Sequence, residues 1–200
     1  MARKNRSDER RAELIRVVAA TFAELGYRRA TTAVLAERCG LQEAALYRLW
    51  PDKRAMFVAA IGFVGDNSER IWREQAERHA DGGSGAERVV AYEARHLGEF
   101  GLYRILFAGL SETDDPEIAE ALRRTYTRML EFIGAEVRDH RAARAGAGSR
   151  GSAALPPAPD LTAWALLGLG TATNVGRELG LLGDRARRQL FESIGRQLLG

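Results

Sequence analysis

Apolar residues return every three or four positions along most of the chain, and this spacing constrains the fold more than any other feature of the sequence. Leu14, Val18, Phe22 and Leu25 show the pattern first. Residues spaced in this way share one face of an α-helix. No stretch of the sequence shows the sustained alternation that is typical of a half-buried β-strand. The sequence therefore predicts an all-α protein.

Residues that begin or end helices divide the pattern into about nine helices. Ser7 is the expected N-cap of the first helix, and Gly26 is expected to end it. The run 115–117, Asp-Pro-Glu, combines a cap, a proline for the first helical position and an acid for the first turn. The last two helices are expected at residues 161–179 and 184–199.

Residues 141–160 interrupt the pattern because they are small or proline and almost free of large apolar side chains. We expect a mobile loop there. The longest uncharged run, 161–176, is shorter than the roughly 20 residues that span a bilayer, so no membrane segment is expected. No apolar stretch follows the charged start, and Cys39 is the single cysteine. These features predict a cytoplasmic protein without a disulfide framework.

The positive charge is concentrated at the N-terminus. Residues 1–54 contain 12 Lys and Arg against 7 Asp and Glu, a net charge of +5, whereas residues 55–200 contain 18 against 20, a net charge of −2. This asymmetry favours contact between the N-terminal part and a polyanion. The charge therefore divides the chain into a basic part at 1–54, expected to meet a polyanion, and a slightly acidic part at 55–200.

Residues 31–49 have the pattern of a helix-turn-helix motif. A short helix capped by Thr31 ends at Gly40, which supplies a positive φ angle, and a second short helix follows the turn. In such motifs the second helix enters the major groove of DNA, where base edges can be read.

Residues 11–57 resemble the DNA-binding domain of the TetR family of transcriptional regulators. The resemblance rests on Phe22, Gly26-Tyr27, Thr31, Leu35-Ala36, Gly40-Leu41, Leu46-Tyr47, Trp50, Lys53 and Met56-Phe57. It implies a helix-turn-helix DNA-binding domain at 1–54 and a ligand-binding and dimerisation domain at 55–200. It also implies that Thr31, Tyr47 and Lys53 bind DNA phosphates. It also places Gln42, Glu43, Ala44 and Arg48 on or near the exposed side of the recognition helix.

Glu43 departs from the family pattern, which often has a basic residue at this position. A carboxylate is unfavourable near phosphate, but it can accept a hydrogen bond from the amino group of cytosine. Glu43 therefore either reads a base or pairs with a neighbouring arginine, and the alternatives leave the operator sequence open.

The C-terminal domain carries aromatic and polar residues that the resemblance assigns to an effector site. The candidate ligand-binding residues are Trp72, Tyr92, His96, Tyr103, Phe107, Tyr126, Met129 and Phe132. A cavity lined by such side chains suits a partly apolar small molecule. The alternative is that any one of these side chains simply fills the core.

Glu93 and His96 have the Glu-x-x-His spacing of di-iron helical bundles, but a second copy of this motif is absent. Neither a metal site nor a cofactor is expected, and no recognisable motif places a nucleophile with a histidine and an acid. The chain is therefore predicted not to be an enzyme. A helical metal-dependent enzyme remains the alternative from another functional class.

The eighth helix combines small and large apolar residues. Gly168, Ala172 and Gly176 recur every four positions, which allows another helix to approach closely. The resemblance implies a four-helix dimer interface formed by the last two helices of each subunit. Its predicted members are Leu161, Trp164, Ala165, Gly168, Ala172, Gly176, Phe191, Ile194 and Leu198.

Together these features predict a homodimeric transcriptional repressor that binds a pseudo-palindromic double-stranded DNA site. A small ligand in the C-terminal domain is expected to release the repressor from DNA. The alternatives are a regulator without a small-molecule effector, an activator, and a nucleoid-type protein that binds DNA with little sequence preference.

Overall fold

The protein is described by a computed structural model that covers residues 2–78, 83–99, 101–146 and 157–200. These residues form nine α-helices and no β-strand, which confirms the all-α prediction. The helices are α1 (Ala2–Arg29), α2 (Thr32–Arg38), α3 (Glu43–Tyr47), α4 (Lys53–Glu77), α5 (Gly85–His96), α6 (Tyr103–Leu110), α7 (Pro116–Gly146), α8 (Pro159–Glu178) and α9 (Asp184–Leu199).

The first helix begins earlier than predicted. Ser7 lies inside α1, which starts at Ala2, so the predicted N-cap is wrong. The preceding residues are mainly alanine, arginine and lysine, which favour helix and extend it. The predicted break at Gly26 is present, since its φ of 73° and ψ of 167° interrupt the helical backbone. A positive φ suits glycine because it has no Cβ.

Both ends of the predicted mobile loop at 141–160 are helical. α7 continues to Gly146 and α8 begins at Pro159, so the loop prediction is wrong at both ends. The Arg141 side chain donates hydrogen bonds to the carbonyl oxygens of Leu199 (2.9 Å) and Pro157 (2.6 Å), which holds this end of α7 in place. Residues 147–156 of the predicted loop lie outside the described residues.

The chain divides into two compact units. Unit 1 comprises residues 1–67 and 100–126, and unit 2 comprises residues 68–99 and 127–200, so α4 and α7 each contribute to both. The core of unit 1 includes Phe22, Leu35, Leu46, Phe57, Ile61 and Ile105. The core of unit 2 includes Val90, Val137, Leu166, Phe191 and Leu199. These units do not correspond to the predicted DNA-binding and ligand-binding domains, whose boundary after residue 54 stays a prediction.

Side-chain caps fix several helix starts. The Asp115 carboxylate accepts hydrogen bonds from the first turn of α7, including one from the Glu117 N–H at 2.9 Å, as predicted. Asp52 caps α4 in the same way. Ser84 and Glu87 form a reciprocal capping box at α5, which the sequence analysis did not identify. None of the described helices is both long and apolar enough to cross a bilayer.

Candidate functional site

A tight turn joins α2 to α3 and sets the direction of α3. Thr31 caps α2, because its Oγ1 accepts a hydrogen bond from the N–H of Val34 at 3.3 Å. After α2, Gly40 has a φ of +65°, and the N–H of Leu41 donates to the carbonyl of Ala36 at 2.9 Å. This pattern is a Schellman motif, which needs glycine at its left-handed position. The predicted helix-turn-helix geometry is therefore present.

The buried side of this motif packs on an aromatic cluster within unit 1. Leu35 and Leu46 are fully buried, as are Phe22 and Phe57, whose rings meet edge to face at 4.9 Å. Leu46 is directed inward, so the opposite side of α3 is directed outward. The exposed residues of α3 and its two ends are Gln42, Glu43, Ala44, Tyr47 and Arg48.

Tyr47 is 44% exposed, so it lies on the surface of α3 rather than in the core. An exposed phenol can donate a hydrogen bond to an approaching phosphate, and this is the role that the sequence predicted for it. The exposed Arg48 follows it and caps the C-terminal end of α3. The outer face of α3 thus combines hydrogen-bond donors and acceptors.

Glu43 has a partner that the sequence analysis did not consider. The hydroxyl of Thr32 donates a hydrogen bond to Glu43 Oε2 at 2.7 Å, and no arginine forms an ion pair with Glu43 in the described part of the chain. The predicted pairing with a neighbouring arginine is therefore wrong. The bond joins the first turn of α2 to the first turn of α3 and leaves carboxylate lone pairs available for a base.

Lys53 is held at the start of α4 by Tyr27. Its Nζ donates to the carbonyl oxygen of Tyr27 at 3.1 Å and lies 4.4 Å from the centroid of the Tyr27 ring. The ring in turn packs on Phe57 at 4.7 Å. An ammonium has three donors, so this contact orients Lys53 while leaving donors for a phosphate.

A charge network that the sequence did not reveal joins the start of α4 to the start of α7 within unit 1. Arg54 lies 3.0 Å from Glu117 and 3.5 Å from both Asp115 and Asp52. Ion pairs this open to solvent contribute little singly to stability, because water screens the charges. Because its acids are far apart in sequence, no local pattern could have identified this network.

Five of the candidate ligand-binding residues lie in unit 2. The rings of Trp72 and Phe132 stack at a centroid distance of 5.9 Å, and those of Tyr92 and His96 lie 4.5 Å apart. Met129 is 4% exposed. Unit 2 therefore brings two pairs of candidates together. Trp72 on α4 contacts Phe132 on α7, and Tyr92 contacts His96 on the same helix, α5.

Glu93 belongs to the same neighbourhood and was missed as a ligand-binding candidate. The indole Nε1 of Trp72 donates a hydrogen bond to Glu93 Oε1 at 2.5 Å. Burial raises the pKa of the Glu93 carboxyl, and this effect outweighs the hydrogen bond from Trp72, which lowers it. His96 is directed instead to Glu99, with Nδ1 and Oε2 2.8 Å apart.

The other three candidates lie in unit 1. The rings of Tyr103 and Phe107 meet edge to face at 5.5 Å on α6. Tyr126 is partly buried on α7, and burial raises the pKa of its phenol. The ligand-binding role of all eight residues stays a prediction.

One face of α8 is apolar and exposed. Leu161 is 63% exposed and Trp164 is 57% exposed. The same face contains exposed small residues, followed by further exposed apolar residues toward the C-terminal end of the helix. Its members are Leu161, Trp164, Ala165, Gly168, Ala172, Val175 and Leu179. We call this set the α8 face. Ile194 on α9 is also exposed.

Other predicted interface residues lie inside unit 2. Phe191 is 5% exposed and belongs to the unit 2 core, and Gly176 is buried against the Leu182 side chain. These two residues therefore pack inside unit 2 and are not part of the exposed α8 face. Leu198 is partly buried and packs on the same core. Sequence periodicity could not separate these groups, because α8 and α9 are apolar on more than one side.

Residues 14–60 match the family model described as bacterial regulatory proteins, tetR family. Over this segment the chain has the sequence of a TetR-family DNA-binding domain. The match covers the helix-turn-helix and the start of α4, the segment in which the described geometry places Thr31, Tyr47 and Lys53. TetR-family proteins are DNA-binding transcriptional regulators, and the helix-turn-helix matched here is the element with which they bind DNA.

The chain is also similar to proteins named nucleoid occlusion factor SlmA. It is 29% identical to SlmA from Alteromonas mediterranea over 144 residues, which cover 64% of this chain and 73% of that protein. It is 42% identical to SlmA from Photobacterium profundum over 71 residues. That second match covers 34% of this chain and 36% of the relative, so it spans only about a third of that protein's length.

Solved structures share the fold of this chain along almost its whole length. The TetR-family regulator from Cytophaga hutchinsonii has a TM-score of 0.74 at 15% identity, covering 97% of this chain and 94% of that one. A transcriptional regulator from Saccharomonospora viridis in complex with choline has a TM-score of 0.72 at 16% identity, covering 93% and 95%. At these identities the likeness shows the fold alone.

Possible metal ligands do not gather in the structure. Across the residues that the structure describes, no three His, Cys, Asp or Glu side chains lie close enough together to hold a metal ion. Glu93 and His96, whose spacing resembles half of a di-iron motif, are engaged with Trp72 and Glu99 respectively.

Proposed function

We propose that the chain is a homodimeric, sequence-specific transcriptional repressor that acts in the cytoplasm and is not an enzyme. The exposed outer face of α3 carries this proposal. Gln42, Tyr47 and Arg48 are exposed there, while Leu46 fixes the helix from behind. A short helix mounted in this way can enter the major groove, where Gln and Arg hydrogen-bond to base edges. Tyr47, Lys53 and the cap at Thr31 would bind the flanking phosphates.

The α8 face supports the dimer. An exposed patch of large apolar side chains on a protein of this kind marks an interaction surface. Gly168 and Ala172 let a second helix approach closely, and Leu161 and Trp164 supply apolar area to bury. A two-fold pair of subunits would present two recognition helices to a pseudo-palindromic site, with half-sites about one helical turn apart.

A small ligand would release this dimer from DNA. The aromatic residues of the C-terminal domain support a ligand site, and choline in the Saccharomonospora viridis regulator shows that a protein of the same fold holds a small molecule. Release requires the ligand to bind the non-operator state more tightly. Each tenfold loss of operator affinity needs about 1.4 kcal/mol of this preference.

Two kinds of variant test the division between phosphate and base contacts. Tyr47→Phe removes one phosphate donor, so affinity should fall by a similar factor for operator and unrelated DNA. Arg48→Ala and Gln42→Ala should instead change the preference at particular base pairs. Fluorescence anisotropy on an operator and its single-base variants measures both effects. Altered base preference in Tyr47→Phe with unchanged overall affinity would contradict the assignment.

The similarity to SlmA favours a second function, action as a nucleoid occlusion factor at many chromosomal sites. The observation is the 144-residue match, which extends beyond the DNA-binding domain. The two functions differ in the distribution of binding sites. A repressor should occupy a few sites beside promoters, including that of its own gene, whereas an occlusion factor should occupy many sites spread along the chromosome.

A further inference from the structure

Glu93 is an acidic side chain inside unit 2 that lacks a basic partner. Its hydrogen bond in the described part of the chain comes from the Trp72 indole, and no lysine or arginine there forms an ion pair with it. Acidic side chains are rarely buried without a partner, because removing a carboxylate from water is costly. The raised pKa of Glu93 reflects this cost. A positive charge on His96 would act on Glu93, but the hydrogen bond of His96 is with Glu99.

Aromatic residues of unit 2 lie in the neighbourhood of this carboxyl group. Trp72, which binds Glu93 directly, is 8% exposed and stacks on Phe132. Tyr92 precedes Glu93 on α5. Burial raises the pKa of the Tyr92 phenol, and the negative charge of Glu93 raises it further. The faces of such rings attract cations. Arg73 shows this attraction at Phe132, where its guanidinium lies 5.5 Å from the ring centroid.

We propose that unit 2 binds an organic monocation carrying a quaternary or tertiary ammonium group, with Glu93 as its counter-charge and Trp72 and Tyr92 as its aromatic contacts. A bulky ammonium is only weakly hydrated and gains from both an unpaired carboxylate and ring faces. An anionic ligand would instead be repelled by the Glu93 charge. The effect of the cation on DNA rests on the proposed repressor function, but its binding does not.

Matched pairs of cations and neutral isosteres test the proposal on the unmodified full chain. Isothermal titration calorimetry at pH 8 should compare tetramethylammonium, choline and benzyltrimethylammonium with their neutral carbon analogues, such as 3,3-dimethylbutan-1-ol for choline. At least one cation should bind ten times or more tighter than its analogue. Equal affinity within every pair would show a site that selects for shape alone, and no binding by any of the three cations would also overturn the proposal.

A conservative variant isolates the charge. Glu93→Gln keeps an oxygen that can accept the Trp72 hydrogen bond and removes the carboxylate, so it should weaken the cation at least tenfold and leave the neutral analogue unchanged. Glu131→Gln is the matched control, because it removes an exposed acid beside Phe132 on α7. Unchanged cation affinity in Glu93→Gln would refute the role of Glu93. If that variant fails to fold, the comparison of isosteres still decides.

A DNA-binding titration separates the site from the repressor proposal. Release of operator DNA by the bound cation in the wild type, and not in Glu93→Gln, supports both. Cation binding that depends on Glu93 but leaves operator affinity unchanged supports the site and contradicts ligand-controlled release through it.

Discussion

Gly168 on the α8 face should respond to substitution in opposite ways in the subunit and in the dimer. A Cβ added there would meet no side chain and no other helix within 4 Å in the described structure, so the subunit has room for a larger residue. Glycine inside a helix is less favourable than alanine by about 1 kcal/mol, and glutamine is close to alanine. Gly168→Gln should therefore stabilise the isolated subunit by a few tenths to about 1 kcal/mol.

The same substitution should weaken the dimer. Extra bulk at a closely packed contact costs about 1–3 kcal/mol, and a two-fold interface contains the substitution on both sides. The dimer dissociation constant should rise at least tenfold, since tenfold corresponds to about 1.4 kcal/mol. Sedimentation velocity over a range of protein concentrations measures this constant.

Urea unfolding of Gly168→Gln measures the effect on the subunit. The unfolding midpoint of the wild-type dimer should rise with protein concentration, whereas that of a monomeric variant should not. Ala143→Gln, which adds bulk at an exposed position of α7, is the control and should leave the dimer intact. A dimer constant within twofold of wild type in Gly168→Gln would refute the interface, and a less stable subunit would refute the open space above Gly168.

Two further predictions concern buried groups. Leu35→Ala should lower the free energy of unfolding by about 2–5 kcal/mol, because Leu35 is fully buried beneath the helix-turn-helix; a loss below about 1 kcal/mol in urea unfolding would contradict that packing. The raised pKa of Glu93 means that the folded protein keeps a proton that the unfolded chain releases, so the contribution of Glu93 to stability should fall as pH rises from about 4.5 through the folded pKa. Glu93→Gln should remove this contribution, which amounts to about 1.4 kcal/mol per unit of pKa shift, and an identical pH dependence in both proteins would count against the buried carboxyl.

Local signals in the sequence predicted the parts of the fold that local chemistry determines. The breaks at Gly26 and Gly40 and the cap at Asp115 depend on a backbone angle or a hydrogen bond within a few residues. The start at Ser7 failed because nothing before it opposes a helix. The loop from Arg141 failed because the bonds that hold Arg141 come from residues such as Leu199, far along the chain.

The candidate sites were predicted unevenly for the same reason. The family pattern located Tyr47 and Lys53, and the structure placed them on the surface of α3 and at the start of α4. Glu93 was considered for its spacing to His96, whereas its contact is with Trp72 on another helix. Gly176 has the same four-residue spacing as Gly168, and only tertiary packing shows that Gly176 is buried.

Selection of bound fragments from the source genome at physiological salt tests the central claim most directly. If the chain is a dimeric, sequence-specific regulator, the selected fragments should share an inverted repeat whose half-sites lie about one helical turn apart. One of these sites should lie beside the protein's own gene. Binding to all fragments alike, with a steep dependence on salt, would contradict sequence-specific regulation, as would no binding by protein refolded to remove any ligand.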